Sequence, residues 1–476
     1  MKQAKLKKSQ RKNLMKVKQI IKQDHVISYD YEISGDWEKY FTENNPFFVE
    51  YNKNIEYVPN SIAIIPLIGN SLIAAALFQA VIEVEEVDET FYEAIPNILQ
   101  GYQDMYPDLH FYKENIVCAQ SIIKNKKKIK DTHSMLYFSG GVDAYSSLIT
   151  HENEDLELAC IWGADIPLNN EKAFHQVEKE NQKVSKKHGL PLTIFRSNLR
   201  TFLNEDLLSR WTVKQGYDGW WYNFQHSIGM LTLAAPYSYQ KIDCIYFAST
   251  YSNKMEKGYA LASDPSIDNQ IQFANTKIKH DGFEFSRQDK VARLCHYSKK
   301  HHKKIYLRVC YRSHTGDNCS VCRKCVMTMM SILVEGFQPE DFGFVYDRKT
   351  FPKLFLASMK EVAYDHPYDF LAIFTDIQNR FREQFSLDEI PVEWKVFYLV
   401  DVSDLVSFLS ADCNYCLEKD KYIKMLEDGK NWLEEHSNEQ ERYIQNLLIE
   451  NKRLKKLLQN NIVSRIKTKL KRSKKS

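Results

Sequence analysis

The stretch Met135-Leu-Tyr-Phe-Ser-Gly-Gly-Val-Asp-Ala-Tyr-Ser-Ser147 decides the fold of this 476-residue chain. An apolar run leads into two adjacent glycines, and a helical pattern follows at once. Gly140 and Gly141 can adopt backbone angles closed to other residues, so successive amide N–H groups can point into one concavity. The positive end of the next helix adds to this potential. The turn therefore predicts an anion site suited to phosphates.

Several side chains of this stretch could contribute to such a site. Ser139 can donate its hydroxyl to the anion, and Asp143 suits a Mg²⁺ ion that bridges phosphate oxygens. The glycine spacing is not that of a dinucleotide fingerprint, and no lysine follows as in a Walker A loop. A plain strand–turn–helix with a helix-capping acid is the alternative. The residues expected to bind the phosphates are Ser139, Gly140, Gly141, Val142, Asp143, Ser146 and Ser147.

Apolar runs of strand length alternate with helical patterns over residues 131–337, which predicts a parallel sheet with helices on both faces. In such sheets ligands lie at the carboxyl ends of the strands. The loop after Phe138 and the turns after Trp162 and Ala248 should therefore surround one crevice. The predicted strands are Ser134–Phe138, Leu156–Trp162, Leu192–Phe195, Ile242–Ala248 and Lys304–Val309. The predicted helices are Ala144–His151, Lys172–His188, Gln225–Ala235 and Arg287–Lys299.

Four cysteines follow in the spacing C-x8-C-x2-C-x2-C, at Cys310, Cys319, Cys322 and Cys325. Four thiolates suit a closed, tetrahedral, structural Zn²⁺ site. Two short C-x2-C steps place three ligands on one tight turn, and Cys310 is expected to close the site from the end of a strand. An iron–sulfur cluster accepts the same ligands, and chance clustering of buried cysteines is the third reading.

The loop Ser-Gly-Gly-Val-Asp resembles the SGGxDS signature of PP-loop ATP pyrophosphatases, which cleave ATP between the α- and β-phosphates and adenylate a substrate. The chain departs from this pattern at Ala144, where the family has serine. The loop followed by the cysteine knot resembles 7-cyano-7-deazaguanine synthases and their relatives, over roughly residues 131–337. The resemblance implies an α/β fold: a parallel-sheet, adenine nucleotide alpha hydrolase-like domain with a zinc knot.

The resemblance also implies roles around the crevice. Trp162 and Gly163 would accept adenine on backbone groups. Arg287 and Lys290 sit in a first helical turn, where cations oppose the helix dipole, and would neutralise departing pyrophosphate. Ordinary surface cations are the alternative for these two. The residues expected to bind substrate are Asp165, Thr250, Asp264 and Asp268.

The rest of the chain is divided by composition. Residues 1–24 read as a basic leader, 25–130 as a mixed α/β N-terminal domain, and 338–420 as a helical domain. Residues 421–476 form a charged, proline-free segment with a basic tail, predicted as one long helix. A 3-4 spacing with a seam asparagine favours a coiled coil that makes a homodimer, and a lone amphipathic helix is the alternative. The residues of that spacing are Ile444, Leu447, Asn451, Leu454 and Leu458.

The overall composition is that of an ordinary globular protein, with 43% hydrophobic and 27% charged residues. The net charge of +3 gives no reason to expect a nucleic-acid partner, and only the basic tails favour one. The most apolar stretch, Ile62–Ile82, is interrupted by polar residues and predicts a buried strand and helix rather than a membrane span. Ten cysteines without an apolar leader indicate a reducing cytoplasm.

We therefore expect a Mg²⁺-ATP-dependent ligase or synthase. It would activate a carboxylate or heteroaryl carbonyl as an AMP adduct, release pyrophosphate, and transfer the activated group to ammonia or an amine. A tRNA-modifying PP-loop enzyme is one alternative. A catalytically degenerate, nucleotide-binding scaffold is the other, and Ala144 is its best argument.

Overall fold

The computed structural model describes residues 13–127, 130–254, 260–364 and 367–410. Two compact units are present. The first consists of Met1–Tyr297 and Tyr306–Asp317, and the second of Ser298–Ile305 and Asn318–Ser476. The first unit holds the sheet, and the second unit is helical.

The strands of the described residues all belong to one sheet of eleven. They are β1 Asn13–Gln23, β2 Val26–Ser34, β3 Phe48–Glu50, β4 Ala80–Asp88, β5 Val117–Ile123, β6 His133–Tyr137, β7 Leu156–Trp162, β8 Leu192–Ser197, β9 Ile242–Ala248, β10 Gln272–Phe273 and β11 Thr276–Asp281.

Fifteen α-helices lie in the described residues. They are α1 Asn60–Ala63, α2 Ile65–Leu77, α3 Glu89–Met105, α4 Val142–Thr150, α5 Glu171–His188, α6 Glu205–Lys214, α7 His226–Leu233, α8 Ala235–Ser238, α9 Pro265–Asp268, α10 Arg287–His301, α11 Arg323–Val334, α12 Phe351–Tyr364, α13 Pro367–Gln384, α14 Lys395–Leu399 and α15 Val402–Ser410. Short 3₁₀ turns occur at Glu38–Tyr40, Pro339–Phe342, Arg348–Thr350 and Val392–Trp394, and a π turn at Trp221–Gln225.

The strand order is β10-β11-β9-β6-β7-β8-β3-β2-β1-β4-β5. From β11 to β8 all neighbours are parallel. The chain runs outward from β6 through β7 to β8, then returns to the other side of β6 with β9 and β11. The order therefore reverses between β6 and β9, and the carboxyl ends of these strands border the crevice where open α/β sheets bind ligands.

The N-terminal strands continue the same sheet. Strand β3 pairs antiparallel with β8, and β1 lies between β2 and β4. The structure thus differs from the expected division at residue 130, since β3 joins both parts in one ladder. It also places Asn13–Gln23, inside the expected basic leader, in a strand. Met15 is buried there while Lys16 and Lys18 are exposed, an alternation that hides one apolar face.

Close backbone contact holds the core helices together. Helix α2 is buried along nearly its whole length and packs on α7. A Cβ added at Gly69 would lie 2.3 Å from the Thr232 hydroxyl, and one at Gly229 would lie 2.8 Å from the Asn70 amide oxygen. Each helix therefore presents a glycine to a polar side chain of the other. The apolar stretch is buried in the core, and no described helix is long and apolar enough to span a membrane.

Four of the five predicted strands of the central region are present within two residues of their predicted bounds. The prediction of a strand at Lys304–Val309 is wrong, because this segment joins no ladder. The Arg308 amide donates instead to the Gly140 carbonyl at 2.8 Å. The four predicted helices correspond to α4, α5, α7 and α10.

The helical unit contains α11 to α15. Helix α12 packs on α15 and α11, and α13 packs on α15 and α11. Phe397 lies at its aromatic centre, with its ring centroid 5.6 Å from that of Phe355 and 5.3 Å from that of Phe381. The long helix or coiled coil expected at 421–476, and the dimer it would make, lie outside the described residues.

Candidate functional site

The glycine turn has the geometry of an anion cradle. Gly140 has φ +81°, a conformation that L side chains rarely adopt. Gly141 is the N-cap of α4, so no side chain caps this helix N-terminus. The Tyr145 amide already closes the first helical turn onto the Gly141 carbonyl. The first amides of α4 are left without partners inside the helix, which suits them to bind an anion.

The three residues predicted to be catalytic lie together beside this turn. One carboxylate oxygen of Asp143 lies 3.0 Å from Arg287 Nη2, and the other lies 3.3 Å from Lys290 Nζ. The Arg287 side chain is 8% exposed and that of Lys290 is 1% exposed. Two nearly buried basic side chains thus share the Asp143 carboxylate, and the charge of Asp281 also acts on Lys290. The Arg287 Nε atom is buried without a hydrogen-bond partner.

Lys290 also ties the crevice to strand β9. Its Nζ donates to the backbone carbonyl of Ser249, the first residue after β9. Burial lowers the pKa of Lys290, and the nearby Asp143 carboxylate offsets only part of that shift. Arg287 and Lys290 are therefore not ordinary surface cations.

A capping box sets the position of both cations. The Asp289 amide donates to the Ser286 hydroxyl at 3.2 Å, and the Ser286 amide donates to Asp289 Oδ2 at 2.9 Å. This reciprocal pair fixes where α10 begins. Since Arg287 is the first residue of α10 and Lys290 lies one turn later, the capping box aims both side chains at Asp143.

Arg308 is a site residue that the sequence pattern did not single out. Its amide binds the Gly140 carbonyl, and its Cβ would lie 3.6 Å from a Cβ added at Gly140. The side chain is 9% exposed and its Nε donates to the Gly316 carbonyl at 3.3 Å. The sequence feature that could have identified Arg308 is a charged residue inside the apolar run before Cys310. Because that run was predicted to be a strand, its arginine was given no role in the site.

The serines of the loop divide into two groups. Ser139 is exposed at the mouth of the turn, and its hydroxyl lies 3.4 Å from the Gly141 amide. Ser146 and Ser147 are buried. The Ser146 hydroxyl accepts from Arg293 at 3.1 Å, and Ser147 is hydrogen-bonded to Asp281. Both buried hydroxyls thus have partners within the protein, and phosphate binding by Ser146 and Ser147 stays a prediction.

The turn after β7 requires its glycine. Gly163 has φ +111°, and a Cβ there would lie 1.8 Å from the Ser197 carbonyl oxygen. The Trp162 ring stacks on Phe174 at 4.7 Å, at the carboxyl end of β7. Asp165 is exposed in the same turn. Adenine binding by Trp162 and Gly163 and substrate binding by Asp165 stay predictions.

The other three residues predicted to bind substrate lie in different surroundings. Thr250 is exposed just after β9. Asp264 caps the short helix α9 through the Ser266 amide at 2.8 Å. Asp268 has no exposed surface and lies 2.7 Å from His280 Nδ1. Burial raises the pKa of Asp268, and the hydrogen bond from His280 offsets part of that shift. Asp264 and Asp268 are thus both buried and engaged within the protein, and substrate binding by Thr250, Asp264 and Asp268 stays a prediction.

A histidine network braces α4 against the sheet. His151 Nε2 lies 3.1 Å from Asp281 Oδ1, and its Nδ1 lies 2.7 Å from Glu154 Oε1. The imidazole stacks on Tyr246 with ring centroids 3.7 Å apart. Burial acts to lower the pKa of His151, but the hydrogen bonds to the two carboxylates outweigh it and raise that pKa.

The four cysteines of the predicted knot form a cluster that could bind a metal. Their sulfur atoms all lie within 4.8 Å of one another. Cys322 and Cys325 sulfurs are 3.5 Å apart, and those of Cys319 and Cys325 are 3.9 Å apart. Ligands about 2.3 Å from a tetrahedral zinc have edges of about 3.8 Å, so the thiols fit Zn²⁺. None of the four forms a disulfide. The expected strand before Cys310 is absent, and the chain reaches it in extended coil.

No protein-family model, curated protein or solved structure matches this chain. The geometry of the crevice and the cysteine cluster are therefore the features from which a function is inferred.

Proposed function

We propose that this chain is a Mg²⁺-ATP-dependent adenylating enzyme of the PP-loop type. It would bind ATP at the turn Ser139–Asp143, join AMP to a carboxylate or heteroaryl carbonyl oxygen, and pass the activated group to ammonia or an amine. One observation carries the proposal. The glycine cradle lies where the sheet order reverses, with Arg287 and Lys290 within 3.3 Å of Asp143.

The charge balance of the crevice suits loss of pyrophosphate. When a substrate oxygen attacks the α-phosphorus, the bond to the bridging oxygen breaks and negative charge builds on the leaving group. Arg287 and Lys290 are fixed by α10 before the reaction, so they stabilise that charge with little reorganisation. Mg²⁺, held by Asp143, would supply further positive charge on the phosphate oxygens.

The proposal assigns the cysteine cluster a structural role. A zinc with four thiolates has no open coordination position for a substrate or a water. Cys322 is the N-cap of α11 and Cys325 lies in its first turn. The cluster would thus fix the start of α11 rather than take part in the chemistry.

Binding of a non-hydrolysable MgATP analogue tests the cradle. Gly140→Ala places a side chain at φ +81°, 3.2 Å from the Asn181 side-chain oxygen. We expect affinity to fall at least about tenfold, which corresponds to about 1.4 kcal/mol. Gly216→Ala is the matched control, because it has φ +88° in an exposed turn with nothing within 4 Å. Unchanged affinity in a folded Gly140→Ala protein contradicts the proposal.

A non-catalytic nucleotide-binding scaffold is the second candidate. It is favoured by Ala144, and by the commitment of the Ser146 and Ser147 hydroxyls to Arg293 and Asp281. Such a scaffold would bind the analogue at the same cradle. It would form no AMP from ATP with any carboxylate and amine supplied.

A further inference from the structure

A second cluster of titratable side chains lies at the amino edge of the sheet, opposite the glycine cradle. His133 opens β6, Glu157 is the second residue of β7, and Lys241 immediately precedes β9. Tyr237 lies in α8, and Lys53 follows β3 by three residues. Because β3 runs antiparallel to β8, its carboxyl end meets the amino ends of the parallel strands. The proposed adenylating function uses none of these residues.

Glu157 is the single carboxylate of this cluster, and its partners already satisfy it. Its side chain is 6% exposed. It accepts from the Tyr237 hydroxyl, from Lys241 Nζ at 3.2 Å, and lies 3.0 Å from His133 Nε2. Burial acts to raise the pKa of Glu157, but the Tyr237 and His133 hydrogen bonds and the Lys241 charge outweigh it and lower that pKa. Glu157 therefore stays ionised and is neutralised by Lys241.

Lys53 is left without a counter-charge. Its Nζ lies 3.6 Å from the centroid of the Tyr237 ring, and Lys241 Nζ lies 3.7 Å from the same centroid. Among the described residues, no carboxylate lies within 4 Å of Lys53 Nζ. Two amines thus share one ring beside a single carboxylate that is already paired. An ammonium has no lone pair to accept from another, so the contact favours a neutral Lys53.

Burial and the neighbouring Lys241 act in the same direction. They lower the pKa of Lys53 to about 7. Half-buried Lys53 still reaches solvent, so a small electrophile can approach its nitrogen.

We propose that Lys53 is a carbamylation site, where the neutral amine adds to carbon dioxide. A nitrogen–carbon bond forms, one carbon–oxygen π bond opens to a carboxylate oxygen, and the displaced amine proton goes to water. The product carries a negative charge beside Lys241. That charge gives the Lys241 ammonium a second anionic partner beside Glu157. Acylation would form a neutral amide and leave Lys241 with no new partner, which is why carbon dioxide is the favoured electrophile.

The reaction should depend on pH in a defined direction. The titratable groups that contact Lys53 or act on its charge are Lys241, Glu157 and Tyr237, with His133 bonded to Glu157 and Tyr57 beside Tyr237. Below pH 7 the Lys53 amine is protonated and cannot attack. Carbamate should therefore appear as pH rises from 6 to 8, where an ordinary lysine remains protonated.

Carbon-13 NMR of the full chain with [¹³C]bicarbonate tests the proposal. We expect a carbamate resonance that is absent in Lys53→Arg and retained in Lys183→Arg, a change at an exposed lysine. In Lys241→Met we expect about fivefold lower occupancy, as for one unit charge about 4 Å away in water.

Trapping of the carbamate by alkylation, followed by peptide mass mapping of the wild-type chain, locates it without any substitution. Finding the trapped group on the Lys53 peptide supports the assignment. No resonance in the folded wild-type protein at pH 8, or an undiminished one in folded Lys53→Arg, overturns it.

Discussion

His151 shows how single side chains tie the crevice to the sheet. It lies between Asp281 and Glu154, and Asp281 accepts from Ser147 one turn after the cradle. The Asp281 carbonyl accepts the Ser249 amide, and the Ser249 carbonyl accepts Lys290. A chain of hydrogen bonds therefore joins the back of α4 to the buried lysine that contacts Asp143.

This network predicts a pH dependence of stability. The pKa of His151 is raised in the fold, so its contribution is fully present below about pH 6.5 and is lost as pH rises through the folded pKa. The pKa of Asp281 is lowered, so its share is present above about pH 4 and is lost in acid. We expect His151→Gln to reduce the loss of unfolding free energy between pH 6 and 8.5, measured in urea. The control is exposed His175→Gln, and equal pH profiles for wild type and His151→Gln count against the network.

Helix α10 is the element on which the site depends most directly. Ser286→Ala removes one half of its capping box, which costs about 1 kcal/mol of stability. Because Arg287 and Lys290 lie in the first turn, fraying there should also weaken binding of a MgATP analogue. Asn204→Ala removes a comparable cap, from the Leu207 amide of α6. We expect a similar stability loss in both variants, measured in urea, and weaker nucleotide binding only in Ser286→Ala. Equal nucleotide affinity in the two variants contradicts the positioning role of α10.

Some elements could be predicted from the sequence pattern alone, and others could not. Strands β7 and β9 match their predicted bounds, because parallel strands with mostly buried residues appear as largely apolar runs. The segment before Cys310 has the same apolar character, yet it packs on the glycine turn and joins no ladder. The contact between Arg308 and Gly140 distinguishes this segment from the strands, and such a tertiary contact cannot be read from the sequence. The strand Asn13–Gln23 was not predicted, because its exposed face carries lysines. The number of lysines in this segment suggested a basic leader instead of a strand.

At the scale of the whole molecule, the metal content of the cysteine cluster is the property that an experiment can measure most directly. We expect elemental analysis to find one zinc per chain. Cys322→Ser should lower zinc below stoichiometry and reduce thermal stability, because metal binding and folding are coupled. The exposed cysteine variant Cys118→Ser should retain the metal. Brown protein that contains iron in place of zinc contradicts this assignment.

The whole molecule places the glycine turn and the buried Arg287 and Lys290 at a point where the sheet order reverses. We propose that this arrangement cleaves ATP between the α- and β-phosphates. The nucleotide products formed from MgATP, with ammonium and a panel of carboxylates and heteroaryl carbonyls, test it most directly. We predict AMP and pyrophosphate from the wild-type chain, with turnover reduced at least about a hundredfold in folded Asp143→Asn. Release of ADP and phosphate, or full activity in Asp143→Asn, would contradict the claim.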